Sequence, residues 1–137
     1  MSQTILMADD DADDRFLVQA AFEDNKIQQN ILFFEDGEQL VDYLTNEKNT
    51  TPARFILLDL NMPKRDGRDV LKTLKNNAKL SQIPVIVFST SKAPDDINSS
   101  YQLGANSYVV KPSSYEHLKE VIQKISDFWL NTAMTPM

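Results

Sequence analysis

Residues 55–67 read FILLDLNMPKRDG. Phe55, Ile56, Leu57 and Leu58 form an apolar run too short for a helix and without the in/out alternation of a half-exposed strand, which predicts a strand covered on both faces. The strand then stops on a carboxylate, Asp59, with Pro63 and Gly67 close behind as turn formers. An otherwise apolar strand that ends on an acid calls for a reason beyond packing.

The same kind of run recurs along the chain: TILMA (4–8), ILFF (31–34), VIVFS (85–89) and YVV (108–110). Between the runs lie segments of helical period. Phe16, Leu17, Ala20 and Ala21 mark the first, Leu40, Tyr43 and Leu44 the second, and Val70, Leu71 and Leu74 the third. A fourth, over 95–103, has little amphipathic signal, with Ile97, Tyr101 and Leu103 as its apolar residues. The last is the clearest, a stripe of Leu118, Val121, Ile122, Ile125, Phe128 and Trp129. Five β–α units imply an α/β domain with a parallel sheet and helices on both faces, because each crossover is right-handed and must pack on the sheet. In open sheets of this kind, sites form outside the carboxyl ends of the strands. There the sequence places Asp9 and Asp10 after the first strand, Asp59 after the third, Ser89 at the end of the fourth and Lys111-Pro112 after the fifth.

Composition removes several function classes. The chain has 137 residues, 42% of them hydrophobic, which suits one globular domain with a real core. Fourteen basic against twenty acidic residues leave a net charge of −6, which repels phosphate backbones and anionic lipid, so neither a nucleic-acid nor a membrane partner is expected. There is no cysteine, hence no disulfide framework and no thiolate metal site, and a cytoplasmic location is the default expectation. The N-terminus MSQTILMADDD has neither a basic n-region nor a long apolar stretch, so no signal peptide or spanning helix can be drawn. With three glycines and no G-x-x-x-x-G-K, a P-loop is absent.

Each site candidate also has a plain structural reading. Asp11, Asp13 and Asp14 read as caps and first-turn charges of the first helix. A lone strand-end Asp is more often a turn residue than a nucleophile, and Ser89 in FSTSKAPDD also reads as the start of a Ser-rich loop. Gly67 reads as the flexible turn into the third helix, Gly104 as the C-cap of the fourth, and His117 as a surface residue of the last. What lifts the set above these readings is that the fold brings the ends of different strands together.

ILMADD, LLDLNMPKRDG, IPVIVFS and GANSYVVKP, in this order and spacing, resemble the receiver domain of bacterial two-component response regulators over essentially the whole chain. DDDADDRFLVQAAFED and the ending DFWLNTAMTP are most similar to the stand-alone receivers associated with phytochromes. The resemblance implies a flavodoxin-like (βα)5 fold, doubly wound, with a five-stranded parallel sheet in the order 2-1-3-4-5. It implies a single receiver domain over 1–137, with a core of about 3–130 and a tail over 131–137. By the same resemblance Asp59 is the phosphoacceptor, and Asp9, Asp10, Asp59 and the backbone carbonyl of Asn61 hold Mg²⁺ or Mn²⁺, Asp9 through water. Ser89 and Lys111 contact the phosphoryl group, Ser89 and Tyr108 form the switch, and Pro112 follows a cis peptide that orients Lys111. Such hard-oxygen ligands suit a small divalent cation, which is needed because a carboxylate and a phosphoryl group repel.

The implied function is that of a single-domain response regulator. It accepts a phosphoryl group from a histidine kinase or a histidine phosphotransfer protein and signals through its fourth helix, fifth strand and fifth helix. It catalyses no reaction beyond its own phosphorylation and dephosphorylation. A phosphatase of the aspartyl-nucleophile type would want an acid two residues after the nucleophile, where Asn61 stands. A flavin binder would want hydroxyl residues and glycine after the first strand, where acids stand. The remaining alternative is an interaction module that works without phosphorylation. Phe128, Trp129 and Leu130 in succession cannot all face one core on a helix, and Met134 and Met137 follow, so homodimerisation through this surface and the tail is expected.

Overall fold

The computed structural model describes residues 4–49 and 52–136. Strands and helices alternate as β1 (Thr4–Ala8), α1 (Ala12–Asp24), β2 (Asn30–Phe34), α2 (Gly37–Thr45), β3 (Ala53–Leu58), α3 (Gly67–Lys75), β4 (Val85–Ser89), α4 (Pro94–Gln102), β5 (Ser107–Val110) and α5 (Tyr115–Ser126). A 3-10 turn, Leu80–Gln82, precedes β4, and a wider π-wound segment, Asp127–Thr132, continues α5. Every strand pair is parallel and the order is β2-β1-β3-β4-β5, the doubly wound arrangement expected.

The two-residue period of the strands sorts their side chains into two cores. Leu6, Ala8, Ile56, Leu58, Val85 and Val87 face α2 and α3, where they meet Leu40, Val41, Val70, Leu71 and Leu74. Ile5, Met7, Phe55, Leu57, Ile86 and Phe88 face α1 and α5, against Val18, Ala21, Phe22, Leu118, Ile122 and Ile125. Both faces of the sheet are therefore apolar, which is why the central strands read as unbroken hydrophobic runs. The expectation of double coverage fails at the edges. β2 alternates between half-buried and exposed residues, and all of β5 is half-buried, because an edge strand has a neighbour on one side only.

The apolar stripe of α1 is also displaced from the expected one. Val18, Ala21 and Phe22 point inward, whereas Phe16 and Leu17 are exposed, by 71% for Phe16. Three consecutive apolar residues span about 200° of a helix, so the sheet can take one of them, and it takes Val18. Asp11 is the N-cap of this helix and accepts from the N–H groups of Asp13 and Asp14. At α4 the chain closes in a Schellman turn, with Gly104 at φ +106° and the N–H groups of Gly104 and Ala105 on the carbonyls of Tyr101 and Ser100. Gly67 serves closeness rather than turn flexibility: a Cβ there would lie 2.2 Å from the carbonyl oxygen of Asp59. The glycine thus lets the start of α3 press against the residue that ends β3.

Beyond Ser126 the wider winding turns Trp129 and Leu130 back onto the α1–α5 core and leaves Phe128 50% exposed, its ring edge-on to Trp129. Arg54 of β3 secures this segment, donating from Nε to the Trp129 carbonyl at 3.2 Å and from Nη2 to the Leu130 carbonyl at 2.9 Å. Orphan carbonyls at a helical end need such donors. Arg54→Ala should therefore cost about 1–3 kcal/mol, by the usual worth of hydrogen bonds from a charged donor, and should red-shift the emission of Trp129, the single tryptophan. Urea unfolding followed by fluorescence reads both; unchanged midpoint and emission would mean that apolar packing alone holds the segment.

Candidate functional site

The sheet ladder runs one residue past the ends of its strands and so fixes the backbone of the site. Asp9 donates its N–H to the Phe34 carbonyl at 3.0 Å, Asp59 to Ala8 at 3.1 Å, and Lys111 to Ser89 at 2.8 Å. Each of these residues stands on a rigid strand end, as the opening stretch of sequence suggested for Asp59. Their side chains converge. Asp9, Asp10 and Asp59 each offer a carboxylate oxygen within 4.8 Å of the others'. Lys111 Nζ lies 2.6 Å from Asp9 Oδ2, 2.9 Å from Asp14 Oδ2 and 3.6 Å from Asp59 Oδ2.

Burial and charge set the electrostatics. Asp9 is fully buried and Asp59 nearly so, while Asp10 is exposed. Burial pushes the Asp59 carboxyl up to about 6, with Asp9 and Asp10 adding to the rise and Lys111 and the Asn61 N–H opposing it. Burial likewise raises Asp9, against the hydrogen bonds it accepts from Lys111 and from the Asp11 N–H. For Lys111, burial by itself would favour the neutral amine, but the hydrogen bond and attraction of Asp9, helped by Asp59 and Asp14, hold its proton more tightly than usual. Three carboxylates share this one ammonium and Asp10 stands beside them, so negative charge is in excess. Clustered hard oxygens with excess negative charge fit a divalent cation of the Mg²⁺ or Mn²⁺ class.

The other expected residues take up distinct places. Ser89 is buried at the end of β4, its Oγ accepting from the Ser91 N–H at 3.2 Å. Tyr108 of β5 is half-buried against the α2–α3 core and donates its hydroxyl to the Ser91 carbonyl at 2.8 Å. Asn61 is exposed, and its backbone N–H reaches the Asp59 carboxylate. His117 is exposed on α5, away from the cluster.

Pro112 requires a correction. The expected cis peptide is not found: every described peptide bond, Lys111–Pro112 included, is trans. Trans is the ordinary preference of an X–Pro bond, and Lys111 is oriented without a cis turn by its N–H on Ser89 and its ammonium on Asp9 and Asp14. Asp14 is the residue that sequence reasoning undervalued. It does stand in the first turn of α1, but its carboxylate holds Lys111. No local spacing marked it, because Asp9 and Asp10 lie before the helix and Lys111 stands 97 residues further along the chain.

The raised Asp59 carboxyl has a stability consequence. Its folded value of about 6 lies above the ordinary 3.8, so the folded chain holds this proton more tightly than the unfolded one. The contribution is fully present below the unfolded value and is lost as pH rises through the window from 3.8 to about 6. Without divalent cation, Asp59→Asn should therefore be more stable than wild type at pH 7, with a ceiling of about 3 kcal/mol, and the gap should close toward pH 4. Denaturation of both proteins across this range in chelator checks the sign; a gap independent of pH would refute the assignment of the difference to ionisation of Asp59.

Comparison with known proteins places this geometry. Residues 5–123 match the model of the response regulator receiver domain family. The response regulator Rcp1 of Synechocystis sp. (strain ATCC 27184 / PCC 6803 / Kazusa) is 36% identical over 98% of this chain and 93% of its own. The crystal structure of the phosphorylated cyanobacterial phytochrome response regulator RcpA is similar over the full length of both chains, with a TM-score of 0.92 at 36% identity. The Mn²⁺-bound form of Rcp1 has a TM-score of 0.88 at 37% identity, covering 98% of this chain and 99% of that one. With its five parallel strands and its acidic pocket of Asp9, Asp10 and Asp59, the chain belongs to the response regulator receiver family, the phosphoryl-accepting signalling modules of two-component systems.

Proposed function

We propose that Asp59 is the phosphoacceptor and that a histidine kinase or histidine phosphotransfer protein is the donor. One observation carries this reading: Asp59 is the strand-end carboxylate that faces both the acid pair and, at 3.6 Å, the Lys111 ammonium. An Asp59 oxygen attacks phosphorus as the P–N bond of a phosphohistidine breaks. The electron pair of that bond goes to the imidazole, which is protonated on its other nitrogen and leaves neutral. Lys111 Nζ moves from its carboxylate partners onto a phosphoryl oxygen, and the Ser89 hydroxyl takes another.

Asp10, Asp59 and the Asn61 carbonyl would hold the divalent cation directly. Asp9 fits an outer place through water, because its Oδ1 already accepts from the Asp11 N–H and its Oδ2 from Lys111. The cation supplies charge neutralisation between the carboxylate and the incoming phosphoryl group. Ser89 and Tyr108 then act as the switch: Tyr108 moves from an outward to an inward position as Ser89 moves toward the phosphoryl group, a population shift driven by the different contacts of the two states. Phosphorylation by a small phosphodonor should require Mg²⁺ and be lost entirely in Asp59→Asn; labelling of the Asn variant, or of wild type in excess chelator, overturns the assignment. Asp10→Ala should abolish cation binding, whereas Lys111→Ala should spare it and blunt the response. Since Asp9 would lose its buried counter-charge in Lys111→Ala, that variant should also lose stability.

Homodimerisation through α4, β5, α5 and the tail is the output reading we favour over a phosphorylation-independent interaction module. Its support is the exposed apolar surface left after the tail folds back: Tyr101 on α4, Phe128 and Met134 are all exposed. Of the three successive apolar residues, Phe128 is the one left over, while Trp129 and Leu130 are packed on their own domain, and Met137 lies outside the described residues. Sedimentation of wild type and Phe128→Ala, with and without a phosphoryl mimic, should show a dimer that the variant weakens. A wild-type protein monomeric at high micromolar concentration in both states excludes this output.

A further inference from the structure

Between the β4 end and α4 the chain is held by a continuous polar network, of which the proposed phosphoryl chemistry and switch use only Ser89 and Tyr108. Ser91 is its centre. The Ser91 N–H donates to the Ser89 Oγ, its carbonyl accepts from the Tyr108 hydroxyl at 2.8 Å, and its own hydroxyl donates to Asp96 Oδ2 at 2.5 Å. The other oxygen of that carboxylate, Asp96 Oδ1, accepts from Arg68 Nη2 at 2.7 Å. Arg68 is in turn braced within α3, its Nη1 lying 3.2 Å from both carboxylate oxygens of Asp66, the N-cap of that helix. Arg68 therefore grips the first turn of α4 from the first turn of α3, and through Asp96 it fixes the one residue that bonds both members of the proposed switch.

We propose that the Arg68–Asp96 ion pair is a positioning device: it holds the β4–α4 loop so that the Ser91 carbonyl faces Tyr108, keeping the tyrosine inward before any phosphoryl group is present. Three constraints favour this. The Ser91 backbone must present N–H to Ser89 and C=O to Tyr108 at once, which leaves its peptide planes little freedom. The Tyr108 hydroxyl, half-buried, has a strong interest in that carbonyl, since a desolvated hydroxyl without a partner is costly. The Ser91 hydroxyl, which also accepts from the Ala93 N–H at 3.2 Å, ties the loop to α4 through Asp96, so that loop and helix move together. Arg68 and Asp96 are each about a third exposed, so the pair contributes as a braced network and not as a lone buried bridge. Because a ligand's apparent affinity falls with the fraction of protein in its competent state, a pair that maintains the inward state also raises affinity for a phosphoryl mimic.

This rests on the reading of Ser89 and Tyr108 as the switch, and the test separates the two. In fluorotyrosine-labelled protein, with Tyr108→Phe identifying the resonance, unphosphorylated Arg68→Gln and Asp96→Asn should both shift the Tyr108 signal away from its wild-type position. Both should weaken binding of beryllofluoride by roughly three- to tenfold, as a modest population change predicts, while leaving Mg²⁺ affinity unchanged. The double variant should be no worse than Arg68→Gln alone, because the Arg68–Asp96 interaction is already gone in that single variant. Asp96→Asn leaves the Arg68–Asp66 contact in place, so it guards against an effect of a disturbed α3 start. An unmoved Tyr108 signal in both single variants, additive losses in the double variant, or tighter beryllofluoride binding would each overturn the proposal. Failure of wild type itself to bind beryllofluoride with Mg²⁺ would refute the phosphoacceptor reading instead, and the Tyr108 signal of the unphosphorylated variants would still decide the pair's role.

Discussion

Asp9 is a fully buried carboxylate, and its contact with the Lys111 ammonium at 2.6 Å is what makes the carboxyl edge of this sheet tenable. An unpaired charge at such a position would be costly or would neutralise itself by taking a proton. Lys111 answers Asp9, Asp14 and Asp59 together, but one ammonium cannot satisfy three carboxylates, and Asp59 is left with a raised affinity for protons. Groups of positive charge are thus drawn to this edge, and a divalent cation would relieve the imbalance the fold leaves there.

The same interaction explains why the strand ends must be rigid. Distances of this order survive only if the backbones beneath them do not drift, and one extra ladder hydrogen bond beyond each of β1, β3 and β5 supplies that stiffness. Gly67 contributes from below by letting α3 approach the Asp59 carbonyl without a Cβ in the way. By contrast the Ser91 loop is tied by side-chain hydrogen bonds and the partly exposed Arg68–Asp96 pair. A surface-accessible pair of that kind is screened by solvent and is not locked into a ladder, so the site combines a fixed floor with a more adjustable wall.

The tail shows a comparable division. Arg54 and the α1–α5 core hold the π-wound segment through Trp129 and Leu130, while Phe128 is turned outward. A hydrophobic cluster that a regular helix would have split unevenly is resolved by widening the helix.

By itself the sequence determined the α/β class, the strands nearly to the residue and the collection of Asp9, Asp10, Asp59, Ser89 and Lys111 at one edge. These follow from local facts: doubly covered strands are continuous apolar runs, and strand ends in a parallel sheet lie together. What only the tertiary structure decided depends on choices between locally equivalent options. Phe16, Leu17 and Val18 are equally apolar, and the position of α1 against the sheet selected Val18. Asp14 had the look of a first-turn acid until Lys111, almost a hundred residues away in sequence, was placed beside it. Nothing local to Arg68 or Asp96 marks them as partners, and their pairing exists because α3 and α4 begin at the same sheet edge. Pro112 permitted either peptide isomer, and a lysine already oriented by its ion pairs needed only the trans form.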